Sequence, residues 1–164
     1  MNRGRYVHSG SAGSLYAEKL ISAADAAGTV KSGEKLLYGV FLGRPVDFDR
    51  ELASRRDELF DVQVTQCAGL SAEATTTCCD PTHEHFTCNS WFFDTGNRRM
   101  GDRSLMFYNP EAFSQLQTII GEIYPFDTYV QQVSPMDRHG FFSFGPTNVN
   151  SLESCLAAKR VILE

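Results

Sequence analysis

The sequence lacks any apolar run of the roughly 20 residues that a membrane-spanning helix needs. Its first residues also lack the apolar stretch of a signal peptide. Cysteine is limited to five residues, an odd number, and the adjacent pair Cys78 and Cys79 is a poor start for a disulfide framework. Because disulfides belong to oxidising compartments, these absences indicate a cytoplasmic protein without a membrane segment.

Basic charge is also scarce. Lysine and arginine number 15 against 20 aspartates and glutamates, which gives a formal net charge of −5, and the basic residues are scattered. Nucleic-acid backbones are bound by a concentrated positive surface, which this distribution does not provide. The sequence therefore disfavours general nucleic-acid binding, and we expect a protein partner or substrate.

The composition that is present suits a globular protein. The chain has 164 residues, of which 42% are hydrophobic and 12% aromatic. This is the length of one ordinary domain, and it allows a core to form without disulfides. Because the sequence contains no internal repeat or linker, we expect a single domain over 1–164.

The spacing of apolar and turn-forming residues predicts both helices and strands. A helix beginning at Ser11 or Ser14 is expected to stop at Gly28, because serine favours helix starts and glycine favours helix ends. The predicted elements are, in order, helix 11–27, strand 35–48, helix 49–59, strand 61–65, a long irregular loop 67–88, a hairpin of 91–93 with 104–108, a helix from Asn109 to Gly121, strand 124–133 and a last helix from Asn150. Helices and strands do not alternate regularly, which favours the α+β class, with a mixed or antiparallel sheet flanked by a few helices.

The predicted loop is rich in side chains that can bind zinc. Zinc takes four such ligands in a tetrahedron, and it would order a segment that has little apolar sequence of its own. The spacing matches no standard zinc finger, so a surface loop with unliganded thiols is the alternative. The six candidate ligands are Cys67, Cys78, Cys79, His83, His85 and Cys88.

The same residues also allow a weaker, catalytic interpretation. Cys88 could act as a thiolate nucleophile, with His83, His85 or His139 as its base. No local signature of a cysteine protease surrounds any of these residues. Any chain with five cysteines and four histidines offers such pairs, so the zinc site is the stronger hypothesis.

Several short segments resemble the poly(ADP-ribose) polymerase family. Gly4-Arg5-Tyr6 is similar to the G-x-Y that begins a strand in that family, and Ser11, Ser14 and Tyr16 are similar to its serine-containing helix with an aromatic. The segments that resemble the later pocket elements, in the order of the family, are 36–45, Asn89-Ser90 and 104–109. The resemblance implies an ADP-ribosyltransferase-like fold that binds NAD.

The family's first motif, H-G, is found here at the other end of the chain, as His139-Gly140. A circular permutation would explain this order, because chain ends are often close together and exposed. The resemblance then implies that Tyr6 and Tyr16 stack on nicotinamide, and that His139 and Gly140 hold the ribose and the carboxamide. Ser14 belongs to the helix that closes this NAD pocket.

One departure from the family limits the expected activity. At the position of the family's catalytic glutamate this chain has Ser104, or Arg103 if the alignment shifts by one. The resemblance therefore implies mono-ADP-ribosyl transfer or an inactive domain rather than polymer formation. The alternative is a non-enzymatic adaptor domain that is stabilised by the zinc loop and binds a protein through Phe141, Phe142 and Phe144.

Overall fold

The protein folds around one parallel β-sheet. A computed structural model describes residues 11–69 and 74–164. Within them six strands lie in the order β4-β3-β2-β1-β5-β6, and every neighbouring pair is parallel. The strands are β1 Lys35–Tyr38, β2 Val62–Gln66, β3 Phe86–Ser90, β4 Phe107–Tyr108, β5 Thr128–Gln131 and β6 Arg160–Leu163.

Helices connect the strands one by one. From β1 onward each strand is followed by a helical segment and then by the next strand, which is the alternation of α/β folds. The helices are α1 Ala12–Lys19, α2 Ala23–Gly28, α3 Asp47–Ser54, α4 Thr75–Cys79, α5 Thr95–Asp102, α6 Leu116–Thr118, which continues as the π-helical turn Ile119–Ile123, and α7 Ser151–Ala157. In the part of the chain that the structure describes, no helix is long and apolar enough to cross a membrane.

The expectation of an α+β class with a mixed or antiparallel sheet is therefore wrong. Two connecting helices escaped detection because they are short and polar: α4 has the sequence TTTCC and α5 the sequence TGNRRMGD. Without α5 the strands on either side of it resembled a hairpin, whereas they are joined by a helical crossover and lie parallel.

The boundaries of other elements also differ from the sequence prediction. The helix predicted over 11–27 is two helices, because Ser22 begins α2 by accepting a hydrogen bond from the backbone N–H of Asp25 (3.0 Å). Ser11 is confirmed as the N-cap of α1. The strand predicted over 35–48 ends at Tyr38, and the helix predicted from Asn109 begins only with a 3₁₀ turn at Phe113–Gln115.

Both faces of the sheet are covered by hydrophobic side chains. Leu36 and Tyr38 point to the face that α2, α3 and α5 cover, whereas Leu37, between them, packs with Leu116 and Ile120 from the α6 segment on the other face. A strand buried on both faces has no alternating pattern, which is typical of parallel sheets.

The order of the strands reverses next to β1. The chain runs outward from β1 through β2 and β3 to β4, then returns to form β5 on the opposite side of β1 and continues to β6. The connection from β1 to β2 thus runs toward one edge of the sheet, and the connection from β5 to β6 runs toward the other edge. A crevice forms at such a reversal, outside the carboxyl ends of the two central strands, and ligands of open α/β sheets bind there.

Candidate active site

The loop after β1 forms one wall of this crevice and has a tightly fixed backbone. The Gly39 N–H donates to the carbonyl of Val130 (2.9 Å), and the Phe41 N–H donates to the carbonyl of Ala68 (2.8 Å). Phe41 has a φ of 53°, in the left-handed region that non-glycine residues rarely adopt. Such a conformation persists only where the surroundings enforce it, and here bonds to β5 and to the loop after β2, on the two sides of β1, do so.

Two glycines allow this loop to pack against the end of β5. A Cβ atom added to Gly39 would collide with the carbonyl of Gly43, and one added to Gly43 would lie 3.1 Å from Nε2 of Gln131. The buried Gln131 amide fills this space, and its oxygen accepts a hydrogen bond from the Tyr129 hydroxyl. The spacing of the two glycines therefore serves close packing at the strand reversal.

An open crevice of about 460 Å³ lies beside this loop, over the carboxyl ends of β5 and β6. Its apolar walls alternate with hydroxyl and amide groups. Ser134 and Ser143 hold the loop after β5 closed, because the Ser143 N–H donates to Oγ of Ser134 (2.9 Å). The lining residues are Leu42, Gln132, Val133, Ser134, Ser143, Phe144, Gly145, Pro146, Thr147 and Glu164.

One hydroxyl in the crevice has no partner. Thr147 is 9% exposed, and its Oγ1 makes no hydrogen bond in the structure. A buried polar group without a partner costs free energy, so such groups are often completed by a ligand or a water molecule. Since this oxygen is buried, contact between it and a molecule bound in the crevice requires a rotation of the Thr147 side chain.

The loops after β1, β2 and β3 are held by hydrogen bonds to charged side chains. The buried Asp49 carboxylate, on α3, accepts hydrogen bonds from the Tyr38 hydroxyl (3.2 Å), the Thr76 hydroxyl and the backbone N–H of Thr75. Burial raises the pKa of Asp49, and these hydrogen bonds oppose the shift. Asp49 thus fixes the start of α4, whose own N-cap, Ala74, has no side chain for this purpose.

The buried Arg44 and the half-buried Asp94 complete a group with Asp49 that we call the buried-charge cluster. Burial lowers the pKa of the Arg44 guanidinium, and the charges of Asp49 and Asp94 oppose that shift. Asp94 accepts hydrogen bonds from the N–H groups of Gly69 (2.7 Å) and Asn97 (2.8 Å), so it joins the loop after β2 to the start of α5. A Cβ atom on Gly69 would lie 2.9 Å from Arg44 Nη1, which shows how closely the loop covers the cluster.

Comparison with known proteins identifies the family of this chain. Residues 5–164 match the model of the acetyl-CoA hydrolase/transferase N-terminal domain. The chain belongs to this family. Membership in the acetyl-CoA hydrolase/transferase family overturns the resemblance to poly(ADP-ribose) polymerases, and with it the ADP-ribosyltransferase function and the NAD cofactor.

Individual relatives in the family support the assignment. A probable butyrate:acetyl-CoA coenzyme A-transferase from Syntrophomonas wolfei is 37% identical over 150 residues. The butyryl-CoA:acetate CoA-transferase of Anaerostipes caccae is 33% identical over 153 residues. Each alignment covers 91% of this chain and 33% of the relative, so the chain spans about a third of the length of these relatives.

The fold of this family is also known from solved structures. The crystal structure of RipA from Yersinia pestis aligns with a TM-score of 0.82 at 28% identity, over 93% of this chain and 37% of that one. The six-stranded parallel sheet is therefore the fold of the acetyl-CoA hydrolase/transferase N-terminal domain.

The zinc hypothesis is wrong as well, because the six candidate ligands do not come together. Among residues 11–69 and 74–164, no three His, Cys, Asp or Glu side chains are grouped so that they could hold a metal ion. Cys67 follows the last residue of β2 and Cys88 lies within β3, while Cys78 and Cys79 are on α4. The two histidines are bonded elsewhere, His83 Nε2 to the carbonyl of Ser104 and His85 Nδ1 to the carbonyl of Leu59, both at 2.7 Å.

Three of these cysteines also lack the ionisation state that nucleophilic attack requires. Burial raises the pKa of Cys88 to about 12 and that of Cys79 to about 11. Burial raises the pKa of Cys67 too. Thiolates are the metal ligands and the nucleophiles, so these thiols are structural residues of the core.

Of the residues that the family resemblance assigned to NAD, the four that the structure describes, Ser14, Tyr16, His139 and Gly140, do not line the crevice. Tyr6 lies outside the described residues. Ser14 is exposed on α1, where its hydroxyl donates to the carbonyl of Ser11 (2.8 Å). Tyr16 is 38% exposed, and its ring centre lies 5.9 Å from that of Phe142.

His139 and Gly140 belong to a tight turn that has a structural explanation. Asp137 Oδ1 accepts the N–H groups of His139 (2.8 Å) and Phe141 (2.9 Å). Gly140 has a φ of 87°, and a Cβ atom there would collide with Ala12 of α1. The turn thus packs against α1, so elements from the two ends of the chain meet, but outside the crevice.

Sequence reasoning missed the residues that line the crevice, chiefly Gln132, Ser143 and Thr147. A usable signal was present at the loop after β1, since a buried apolar strand followed by Gly39-x3-Gly43 is typical of a strand-to-helix turn at a strand reversal. No local signal marked Thr147 or Glu164, because their position depends on how β5 and β6 pair with β1.

Proposed function

We propose that this chain is the domain that holds the acyl end of a CoA ester in an acyl-CoA:carboxylate CoA-transferase. The observation that carries the proposal is the family match over residues 5–164, together with relatives named as transferases of CoA between butyrate and acetate. The domain then supplies about a third of such an enzyme, and we propose a short-chain carboxylate as the acceptor.

The proposed reaction exchanges one thioester for another. A donor acyl-CoA and an acceptor carboxylate give the donor's free carboxylate and the acceptor's acyl-CoA. One C–S bond breaks and another forms, and one oxygen of the acceptor carboxylate ends in the released acid. Since the number of thioesters is unchanged, the two substrates alone balance the exchange.

The crevice beside the β1 loop suits the acyl end of such a substrate. Leu42, Val133 and Phe144 offer apolar contact for a short alkyl chain, and Ser143 and Thr147 offer hydroxyl groups for a carbonyl or an amide. Its volume of about 460 Å³ lies within the range of small-molecule sites. The one carboxylate among its lining residues, Glu164, accepts hydrogen bonds from backbone N–H groups. We therefore assign to the crevice the binding and orientation of substrate.

We also propose a cytoplasmic location for the protein. Cys67, Cys79, Cys88 and Cys155 are free thiols, which suits a reducing compartment.

Isotope exchange tests the proposed function. The protein is incubated with butyryl-CoA and labelled acetate, and the formation of labelled acetyl-CoA is followed. The proposal predicts labelled acetyl-CoA together with an equal amount of butyrate. Release of free CoA without labelled acetyl-CoA would indicate a hydrolase, and no turnover together with no binding of butyryl-CoA would contradict the proposal.

Variants connect the reaction with the crevice. Thr147→Val and Ser143→Ala each remove one hydroxyl, and we expect each to weaken butyryl-CoA binding or turnover by roughly five- to tenfold, the effect of one lost hydrogen bond. Ser54→Ala is the matched control, because Ser54 is exposed on α3 and donates only to the carbonyl of Glu51. Equal effects of all three substitutions would show that the crevice does not contribute to butyryl-CoA binding or turnover.

A further inference from the structure

The start of α3 is capped by a residue from the other end of the chain. Its N-cap residue, Val46, has no side chain that could accept a hydrogen bond. Instead Oε1 of Glu164 accepts the N–H groups of Val46 (2.8 Å) and Asp47 (3.2 Å), and Oε2 accepts that of Phe48 (2.7 Å). The first N–H groups of a helix have no partner within the helix, so the carboxylate satisfies three of them.

The position of Glu164 is set by strand pairing rather than by a flexible tail. Its backbone N–H donates to the carbonyl of Gln131 (2.9 Å), and its carbonyl accepts from the N–H of Val133 (2.8 Å). Its side chain also accepts from Nε2 of Gln132 (3.1 Å). Because Gln132 in turn donates its backbone N–H to the carbonyl of Gly43 (2.8 Å), Glu164 belongs to a set of bonds that joins β5, β6 and the β1 loop.

The Glu164 carboxylate lies at a helix start of the kind that binds anions. The helix that follows the first strand at a strand reversal is the one whose start binds phosphate in dinucleotide-binding sheets. Here α3 is that helix, since it follows β1, where the strand order reverses. The partial positive charge of its N-terminus favours an anion, and the chain provides one of its own.

We propose that Glu164 is a built-in anion that takes the place of a ligand phosphate at the start of α3. It is a positioning residue: it holds the β1 loop against β5 and forms part of the crevice wall with Leu42. Its presence excludes phosphate groups of a ligand from this helix end. The inference rests on contacts within the chain and stands apart from the transferase proposal.

Removal of the carboxylate should leave a vacant anion site, which can be filled from solution. We expect Glu164→Ala to lower the midpoint of thermal unfolding by roughly 3–8 °C, the effect of losing a helix cap in a domain of this size. Sulfate at tens of millimolar should restore a large part of that loss, relative to sodium chloride of equal ionic strength. Sulfate also stabilises proteins generally, so the wild-type chain is measured in the same solutions.

Glu153→Ala is the matched control. Glu153 also lies in the first turn of a helix, α7, but it accepts one hydrogen bond from the Gln117 side chain and none from the backbone N–H groups of that helix. Its midpoint should respond to sulfate as the wild-type midpoint does. The proposal is overturned if Glu164→Ala leaves the midpoint unchanged, or if sulfate stabilises that variant no more than it stabilises Glu153→Ala.

A second variant keeps the test decisive if Glu164→Ala does not fold. Glu164→Gln retains the size of the side chain and loses its charge, so it should lower the midpoint by less. Because the amide still fills the site, sulfate should give no added stabilisation. A midpoint equal to that of the wild type would show that the helix start needs no anion, and would also overturn the proposal.

Discussion

The loops at the carboxyl edge of the sheet are held in two different ways on the two sides of β1. Over β1, β2 and β3 they close around the buried-charge cluster of Arg44, Asp49 and Asp94. Over β5 and β6 they leave a crevice lined mainly by apolar, hydroxyl and amide groups, with the Glu164 carboxylate as its one charged group, and the Thr147 hydroxyl has no partner.

This difference indicates that the loops over β1, β2 and β3 have a structural role, whereas the loops over β5 and β6 bind ligand. Buried charges are tolerated only where hydrogen bonds and opposite charges surround them, so a segment built on them has one well-defined arrangement. Hydroxyl and amide groups that face the open crevice, such as those of Ser143 and Gln132, can exchange water for a ligand. The charged side therefore keeps the β1 loop rigid, and the crevice side remains able to bind.

Breaking the charged side should have the largest effect on stability. Asp49→Ala removes the acceptor of three hydrogen bonds and leaves Arg44 with less opposing charge, so we expect the free energy of unfolding to fall by about 3–5 kcal/mol. Urea denaturation measures this change. Asp47→Ala is the control, because Asp47 is exposed and pairs only at the surface with Arg50, a contact worth less than about 1 kcal/mol. Similar losses in both variants would mean that the cluster is not a support.

The loop shared by the two sides should show an intermediate effect. Gly39→Ala forces a Cβ atom against the carbonyl of Gly43, and overpacking of this kind costs about 1–3 kcal/mol. Gly121→Ala is the matched control, since a Cβ atom there meets nothing within 4 Å and alanine favours helices. Thermal unfolding of both variants measures the difference. If Gly39→Ala is as stable as Gly121→Ala, the close packing described for the loop is incorrect.

A threonine-to-valine substitution on each side of β1 compares the two sides through the same chemical change. Thr76→Val removes the hydroxyl that donates to Asp49, and we expect a loss of about 1–3 kcal/mol for a hydrogen bond to a charged group. Thr147→Val removes a hydroxyl without a partner, so we expect a change below about 0.5 kcal/mol in the absence of ligand. Denaturation in urea compares the two variants directly. The reverse order of the two losses would contradict the assignment of support and binding to the two sides.

Sequence patterns predicted those elements whose partners are local. The strand predicted over 61–65 lies within one residue of β2, and Ser11 caps α1 as expected, because both depend on neighbouring residues. The apolar run from Lys35 to Phe48 predicts one strand, because hydrophobicity alone does not separate β1 from the turn and the helix that follow it. The glycines Gly39 and Gly43 indicate where the strand ends and the turn begins.

The parallel sheet and the crevice could not be found in this way. Pairing between distant strands decides which side chains meet: Cys88 lies opposite Val64 in the sheet, and not in a loop as the zinc hypothesis required. Glu164 meets Val46, Asp47 and Phe48 across 116 to 118 residues, a contact that no local pattern marks. Short matches to another family, such as Gly4-Arg5-Tyr6, carried no information about this pairing.

The central claim is that the crevice over β5 and β6 binds the acyl end of a CoA ester, and NMR tests it most directly. Backbone amide signals of the ¹⁵N-labelled chain are followed during titration with butyryl-CoA, and separately with NAD. The account predicts that butyryl-CoA shifts the amides of Gln132, Val133, Ser143, Phe144, Gly145 and Thr147, that the amides of Gly69 and Thr75 stay in place, and that NAD has no effect. Saturable shifts with NAD near Tyr16 and His139, or no shifts in the crevice with butyryl-CoA, would contradict it.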